Sequence, residues 1–483
     1  MTKQQELELY LHEKRTSIVS LIPALHKAKA LYGELTPDVL RIVAEGLGLP
    51  LSRVAAAATF YSAFNGMDDG EADDRFLTPQ RTGPMLEHPT NYKAARKFLD
   101  ENLDMIALLQ AGKLRGRSGS GFPAADKWEL TMNTPGDVKY IVANGSEGEG
   151  DTYKDYLLMV KKPEIIIEGV LICGLFTGIA KGVVYIRAEY DKAYASMQKA
   201  IEEAYAAGIL GENAMGSGRR FDLEAVRGGG AYVCGEETAL LEMLEGRRSE
   251  PRLKPPYPGT CGLYGKPTII NNVETFAAAA ALVLHGAAAF RNAGTLETGG
   301  TKLYTVSGAV ERPGVYELPH SVTLREVMDL AGGKNVKGFQ AGGGATGCFG
   351  SAAQLDTVLD YGTMRAAGLS LGTGAIRFIG ADESVPKLAL KSIAFLKDQS
   401  CGVCTACRYG LAELTELLEK LINGEGNEET LSEAKRVCAY VGQNSRCAHG
   451  QAAPLAFESA VRAFPAEFEA LCRKEDEHEH FAL

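Results

Sequence analysis

Three cysteines within seven residues, Cys401-Gly-Val-Cys404-Thr-Ala-Cys407, constrain this chain more than anything else in it. Thiolates at the first, fourth and seventh positions of a tight turn can bind three corners of an iron–sulfur cube, and a distant fourth cysteine can close it. Cys447, in Arg446-Cys447-Ala-His-Gly-Gln, is the preferred fourth ligand; Cys438 is its rival, but lies within a helical pattern. Zinc is the alternative metal. Structural zinc sites usually pair two separated Cys-x-x-Cys hooks, and a triple hook fits that plan less well.

Ten cysteines in 483 residues are too few for a disulfide framework, so metal chemistry in a reducing, cytoplasmic compartment is expected. With 45% hydrophobic and 23% charged residues, the composition is that of an ordinary globular protein. At roughly 100 to 200 residues per domain, three or four domains are expected. A net charge of −10 leaves no footprint for nucleic acid. The longest apolar stretch, Ile165 to Ile179, is broken by Glu168 and several glycines, and Met1 to Lys14 carries no apolar signal core, so no direct membrane insertion is expected.

Along the chain, Leu7 to Phe64 has helical spacing, with Thr36-Pro37 as a cap followed by proline and Ser52 as a second cap. Met67 to Thr90, rich in Asp, Gly and Pro, is expected to be a linker. From there to Leu296, helix and strand signals alternate, with buried strands at Tyr140 to Ala143 and Val183 to Ile186. A small α+β segment follows: a Pro313-Gly314 turn, a strand near Val315 to Leu318 and a helix from Thr323. After Pro386 the chain is helical apart from a break at Asn423 to Asn427, and the tail Arg473 to His480 is expected to be a solvated end. The fold class is therefore multi-domain α/β, with boundaries expected at 1–75, 76–90 (linker), 91–298, 299–383 and 384–483.

Three further stretches carry chemistry. In Leu114-Arg-Gly-Arg-Ser-Gly-Ser-Gly-Phe-Pro123, the glycines at 116, 119 and 121 let a phosphate or flavin approach backbone N–H groups, and Arg117 and Lys127 are placed to neutralise phosphate. This loop does not follow a strand, as a standard dinucleotide fingerprint would. Asn144-Gly-Ser-Glu147-Gly-Glu149-Gly-Asp-Thr-Tyr-Lys-Asp155 closes the apolar run ending at Ala143, where open α/β sheets bind ligands. Finally, Gly228-Gly-Gly, Glu236-Glu237, Lys254-Pro-Pro-Tyr257 and Asn271-Asn272-Val-Glu-Thr275 offer a pocket rich in hydrogen-bonding groups.

From Leu114 to Pro454 these motifs, in this order, resemble the NADH-binding flavoprotein subunit of respiratory complex I and its relatives in NAD-linked hydrogenases and formate dehydrogenases. The resemblance implies a Rossmann-like FMN and NADH domain, a β-grasp domain and a helical bundle holding the 4Fe-4S cluster, here preceded by a small helical domain. It implies FMN contacts at Gly116, Arg117, Gly119, Lys127, Asn144, Ser146, Glu147, Glu236, Asn271 and Asn272. It implies an NAD(H) site at Phe122, Glu149, Glu237, Lys254 and Tyr257, and a cluster on Cys401, Cys404, Cys407 and Cys447. Glu237 near the adenosine ribose would accept from its hydroxyls and repel a 2′-phosphate. This sequence departs from the family pattern at Ser146, where an Asp is usual, at Gly150-Asp151, at Ser118 and at Leu130.

Residues Gly33 to Phe64 resemble the helical start of the companion 2Fe-2S subunit of the same enzymes, yet the first cysteine is Cys173. A thioredoxin-like 2Fe-2S partner subunit is therefore expected, alongside a further iron–sulfur or catalytic subunit; alternatively the helices only cap the α/β domain. The expected activity is hydride exchange between nicotinamide and FMN, with Glu149 steering the nicotinamide and single electrons leaving through the cluster. The Cys447-Ala-His-Gly-Gln ending and the fused N-terminal helices look more like the soluble hydrogenase and formate dehydrogenase relatives than like complex I. A complex I or electron-bifurcating assembly, or a flavin-free scaffold, is the alternative.

Overall fold

The computed structural model describes residues 1–65 and 72–472. The start of the expected linker, Met67 to Glu71, and the Arg473 to His480 tail lie outside the described residues. The chain forms two compact units, one of residues 1–148, 153–305 and 314–321, the other of 149–152, 306–313 and 322 onward.

The first unit is built on a parallel sheet of β1 (Tyr140–Gly145), β2 (Lys181–Ile186), β3 (Asp222–Arg227) and β4 (Thr268–Asn272), in the order β3-β2-β1-β4. Ile141, Val142, Ala143 and Val183 to Ile186 are all buried, which is why these strands read as continuous apolar runs and not as alternating ones. The Pro163–Thr177 helix opens with its proline in the first turn and is almost wholly buried. Its Gly169 is required by close approach: a Cβ there would sit 2.0 Å from the Phe276 carbonyl of the Val273–His285 helix. Glu168, the charge that interrupts the apolar run, pairs with buried His88 at 2.6 Å and accepts the Ala95 N–H at 2.8 Å. Among the described residues no helix is long and apolar enough to cross a membrane.

The N-terminal helices, Lys3–Lys14, Leu21–Tyr32, Pro37–Leu47 and Leu51–Phe60, belong to this unit. Thr36 caps the third as expected, but Pro50 and not Ser52 precedes the fourth. Leu11, Leu25, Val43 and Tyr61 share one core with Val142, Val183 and Tyr185, so the helices have no separate core of their own. They hold the Gly228-Gly229-Gly230 loop directly. The N–H groups of Ala63 and Ser62 donate to the carbonyls of Gly229 and Gly230 at 3.0 and 3.2 Å, and His26 Nε2 donates to the Gly228 carbonyl at 2.7 Å.

Burial holds His26 down to about 4, opposed by its bond to Gly228 and by Glu189, and assisted by Arg227 and Lys29. The unfolded chain then binds more protons than the folded one between pH 4 and 6.5, so His26 costs stability as pH falls through that window, by about 3 kcal/mol in all. Thermal melts should show the wild type losing more Tm between pH 7 and 5 than His26→Gln; equal losses would contradict this.

The stretch 76–90 is packed and not a spacer. Phe76, Met85 and Leu86 are buried, and the Glu317 carboxylate of β6 (Gly314–Pro319) accepts the N–H groups of Met85 and Leu86, each at 2.9 Å. The preceding strand, β5 (Thr301–Gly308), begins in the first unit and ends in the second. In the second unit β7 (Val336–Ala341) pairs antiparallel with β8 (Cys348–Ser351) and β9 (Ala375–Gly380). Thr323 caps the Leu324–Ala331 helix through a reciprocal pairing with Glu326. Helices Val385–Asp398, Thr405–Ile422, Glu428–Asn444 and Ala448–Ala463 follow, burying Leu411, Leu414, Leu418, Val441 and Phe457. The break at Asn423 to Asn427 ends in an Asn427 cap.

Candidate functional site

Within the parallel sheet the chain runs outward through β1, β2 and β3, then returns to place β4 on the other side of β1. Open sheets bind ligands beyond the carboxyl ends of their strands where the strand order reverses, here between β1 and β4. Asn144 pairs in register with Asn272 at that point, and Ala143 with Asn271. The Asn272 amide donates to the Asn144 carbonyl at 3.0 Å, and the Asn144 amide to the Gly235 carbonyl at 3.1 Å. The Ser146 N–H donates to Asn144 Oδ1 at 2.9 Å, and Trp128 Nε1–H to Asn271 Oδ1 at 3.1 Å.

Around this crevice the structure gathers four of the seven charged candidates, Lys127, Glu236, Glu237 and Lys254. Lys127 Nζ meets Glu237 at 3.0 Å and the Ile270 carbonyl at 3.1 Å, while Lys254 Nζ meets Glu236 at 2.8 Å and Glu237 at 3.3 Å. Burial opposes the charge of Glu237, but Lys127 and Lys254 outweigh it and hold the carboxyl below its ordinary range. Glu236 also caps the Glu237–Leu244 helix, accepting the N–H groups of Thr238 and Ala239. Phe122 and Tyr257 are 47% and 55% exposed, large rings left available for stacking. Leu130 lies against Gly259, on the same loop as Tyr257.

The glycine loop is closed by the Gly116 N–H donating to the Phe122 carbonyl at 2.8 Å. Apart from its chain neighbours, no protein atom lies within 4 Å of where a Cβ on Gly119 would stand, so the loop backbone is open to approach there. Arg117, however, is fully buried, and its guanidinium bonds to the Gly299 carbonyl at 2.7 Å and to His320. Its charge is directed into the protein, and what the loop offers a phosphate is backbone.

Glu147 likewise faces inward. Its two carboxylate oxygens accept the N–H groups of Asp155 and Tyr156, each at 2.9 Å, at the start of the Lys154–Lys161 helix. Burial, then the nearby Asp155, pushes its carboxyl up. Glu149 belongs to the second unit, where one of its oxygens accepts the N–H groups of Ala345 and Thr346, both at 2.7 Å. Behind the crevice lie four buried charges: Lys154, Asp155 and Glu274 fall inside the sequence motifs but were given no role there, and Lys302 lies outside them, because nothing local marks a lysine for burial.

In the second unit three of the four candidate cluster cysteines lie at helix starts. Cys404 precedes the Thr405–Ile422 helix, Cys407 lies in its first turn and Cys447 precedes the Ala448–Ala463 helix. Helix N-termini favour thiolate, the form that binds iron. The Arg446 N–H reaches Cys404 Sγ at 3.4 Å, and a Cβ on Gly450 would touch Cys407 Cβ at 3.4 Å, so the segment carrying Cys447 lies across the triple hook. Burial pushes the Cys407 thiol up, Ser400 opposes, and Cys401 and Cys404 add to the rise, as expected of thiols sharing a site. Among the described residues no three His, Cys, Asp or Glu side chains converge closely enough for a single metal ion. A cube instead spreads its thiolates over separate iron corners. Cys438 is buried in mid-helix with its thiol donating to the Pro454 carbonyl at 3.8 Å. These residues fit a flavin and a cube.

Residues 109–281 match the Nuo51 FMN-binding domain, and residues 387–471 the NADH-ubiquinone oxidoreductase-F iron–sulfur binding region. The second F-type subunit of NADH-quinone oxidoreductase in Rhizobium meliloti (strain 1021) is 40% identical over 384 residues, 78% of this chain and 91% of that protein. The chain belongs to the family of FMN- and 4Fe-4S-binding NADH dehydrogenase subunits to which the F subunits of NADH-quinone oxidoreductase belong. It is an NADH dehydrogenase-type flavoprotein, and its cofactors are FMN and a 4Fe-4S cluster. Its relatives also include the NADP-reducing hydrogenase subunit HndC of Solidesulfovibrio fructosivorans, 38% identical over 372 residues, 76% of each chain. Residues 303–348 match the SLBB domain, and residues 7–73 the thioredoxin-like [2Fe-2S] ferredoxin family, a stretch without cysteine here. The crystal structure of an NAD+-reducing [NiFe]-hydrogenase in the H2-reduced state superposes with a TM-score of 0.84 at 26% identity, covering 94% of each chain.

Proposed function

We propose that this chain is the NADH-reactive subunit of a multi-subunit assembly of the NAD-linked hydrogenase or formate dehydrogenase type. The fold-level match to the hydrogenase chain over 94% of both lengths supports it. The observation that carries the activity is the β1–β4 crevice with the open glycine cradle in the same unit. FMN held there would supply the interconversion of two-electron and one-electron chemistry between nicotinamide and iron, and Cys401, Cys404, Cys407 and Cys447 would hold the 4Fe-4S cluster. The chain's own work is positioning. Asn144, Ser146, Asn271 and Asn272 present amide and hydroxyl groups at the crevice floor, Lys127 and Lys254 supply cations, and Phe122 and Tyr257 supply stacking faces. Glu149, held by two backbone N–H groups, is assigned to nicotinamide orientation.

The domain division expected from the sequence, with a β-grasp segment at 299–383, is part of this reading. So is a separate 2Fe-2S partner, supported by the lack of cysteine in residues 7–73. Iron-replete, FMN-reconstituted protein should reduce an artificial dye with NADH; failure to do so would overturn the assignment.

Glu237 is assigned to nucleotide choice. A carboxylate facing a 2′-phosphate costs on the order of 1 to 4 kcal/mol, depending on exposure to water. Glu237→Gln should therefore raise the NADPH to NADH ratio of kcat/KM by about fivefold or more. An unchanged ratio would show that the carboxylate's work is confined to its two lysines.

A further inference from the structure

Behind the crevice lies a buried charge cluster that the binding reading does not use. Glu274, fully buried, accepts the Leu303 N–H at 2.8 Å, Lys302 Nζ at 3.0 Å and Lys154 Nζ at 3.1 Å. Lys154 also reaches Asp155 at 2.6 Å and Asn272 at 3.1 Å. Lys302, equally buried, donates to the Arg117 carbonyl at 2.7 Å, and the Arg117 N–H donates to Thr275 Oγ1 at 3.0 Å. One carboxylate thus connects three parts remote in sequence: the glycine loop through Lys302, the helix following β1 through Lys154, and the end of β4 through its own helix.

Such a cluster is costly to bury. Burial, opposed by Glu274 and assisted by Lys154 and Arg117, lowers Lys302 to about 8. Exchanging buried ion pairs for apolar residues of similar volume is often neutral or stabilising, so stability alone does not account for this one. Its location does. Arg117 lies within the glycine loop, and Lys302 and Thr275 grip its carbonyl and its N–H, the two backbone groups that set the direction of the neighbouring peptide planes.

We propose that Lys302 and Glu274 are positioning residues for the flavin: the pair holds the Arg117 backbone so that the Gly116–Gly121 loop keeps its cradle open before the cofactor arrives. The inference rests on the assignment of that loop to FMN. Preorganised donors bind more tightly because the loop is already ordered when the ligand arrives.

The test uses the full chain carrying its iron–sulfur cluster. FMN affinity is measured by flavin fluorescence for wild type, Lys302→Arg, the Lys302→Met/Glu274→Met double variant and Gly119→Val, each with a thermal melt and the cluster's EPR signal. Lys302→Arg keeps the ion pair but moves the donor off the Arg117 carbonyl, and should weaken FMN about threefold at unchanged Tm. The double variant removes both charges and should weaken FMN at least tenfold in folded, cluster-bearing protein. A merely structural pair would shift the melt and leave the folded fraction's affinity as it was. If either folded variant binds FMN within twofold of wild type while Gly119→Val loses it, the positioning role is overturned and the loop assignment stands. If Gly119→Val also keeps FMN, both fall. Should the double variant not fold, Lys302→Arg decides by the same twofold limit.

Discussion

Cys447→Ser should abolish the 4Fe-4S cluster while leaving the chain folded. Serine is a good residue for the position before a helix, so the Ala448–Ala463 helix keeps its start, but a hydroxyl is a poor substitute for thiolate at iron. Losing an outer-shell partner of a metal ligand costs roughly 10- to 100-fold in metal affinity, and losing the ligand itself should cost more. Iron and acid-labile sulfide should fall together, and the cluster's EPR signal should vanish. NADH-driven reduction of small dyes that take electrons from the flavin should persist. Cys438→Ser is the matched control: that thiol is turned to the Pro454 carbonyl, and its variant should retain the cluster. The reverse pattern, loss with Cys438→Ser and retention with Cys447→Ser, would reassign the fourth ligand.

Gly119→Val should yield a stable, cluster-bearing protein that does not retain FMN. Gly119 is absent from the positive-φ positions, and apart from its chain neighbours a Cβ there meets no protein atom within 4 Å, so the fold accommodates a side chain. Its melting behaviour should stay within about 0.5 kcal/mol of wild type, the usual range for open sites. Flavin, in contrast, would find a branched side chain where the cradle was. A loss of at least about 100-fold in affinity, or 2.7 kcal/mol, is expected in a fluorescence titration. A yellow, flavin-replete variant would show that the cofactor approaches the sheet from elsewhere.

How much was legible beforehand differs by element. The apolar runs that became β1 and β2, the Thr36-Pro37 start and the Asn423–Asn427 break all depend on neighbours within a few residues, and the structure has them in place. The stretch 76–90 was not legible. Its Pro, Gly and Asp content suggests a spacer, but Glu317, more than 200 residues away, takes its N–H groups and packs it down. The N-terminal helices show the same limit: helical spacing reveals their apolar faces, and cannot say that those faces complete the core of a sheet beginning at Tyr140.

Charge was the hardest to read. The glycine loop promised Arg117 to a phosphate because arginine beside glycine commonly serves that end; only the tertiary arrangement turned the guanidinium to Gly299 and His320. Local spacing therefore determined which chemistry this chain carries: thiolates for a cube, glycines for a cradle, and amides and carboxylates at strand ends. The three-dimensional fold decided which charges face the crevice and which support it from behind. Burying a charge is tolerable only where an opposite one, distant in sequence, arrives beside it, and the partnership of Lys302 with Glu274 exists only once β5 and the helix after β4 have packed together.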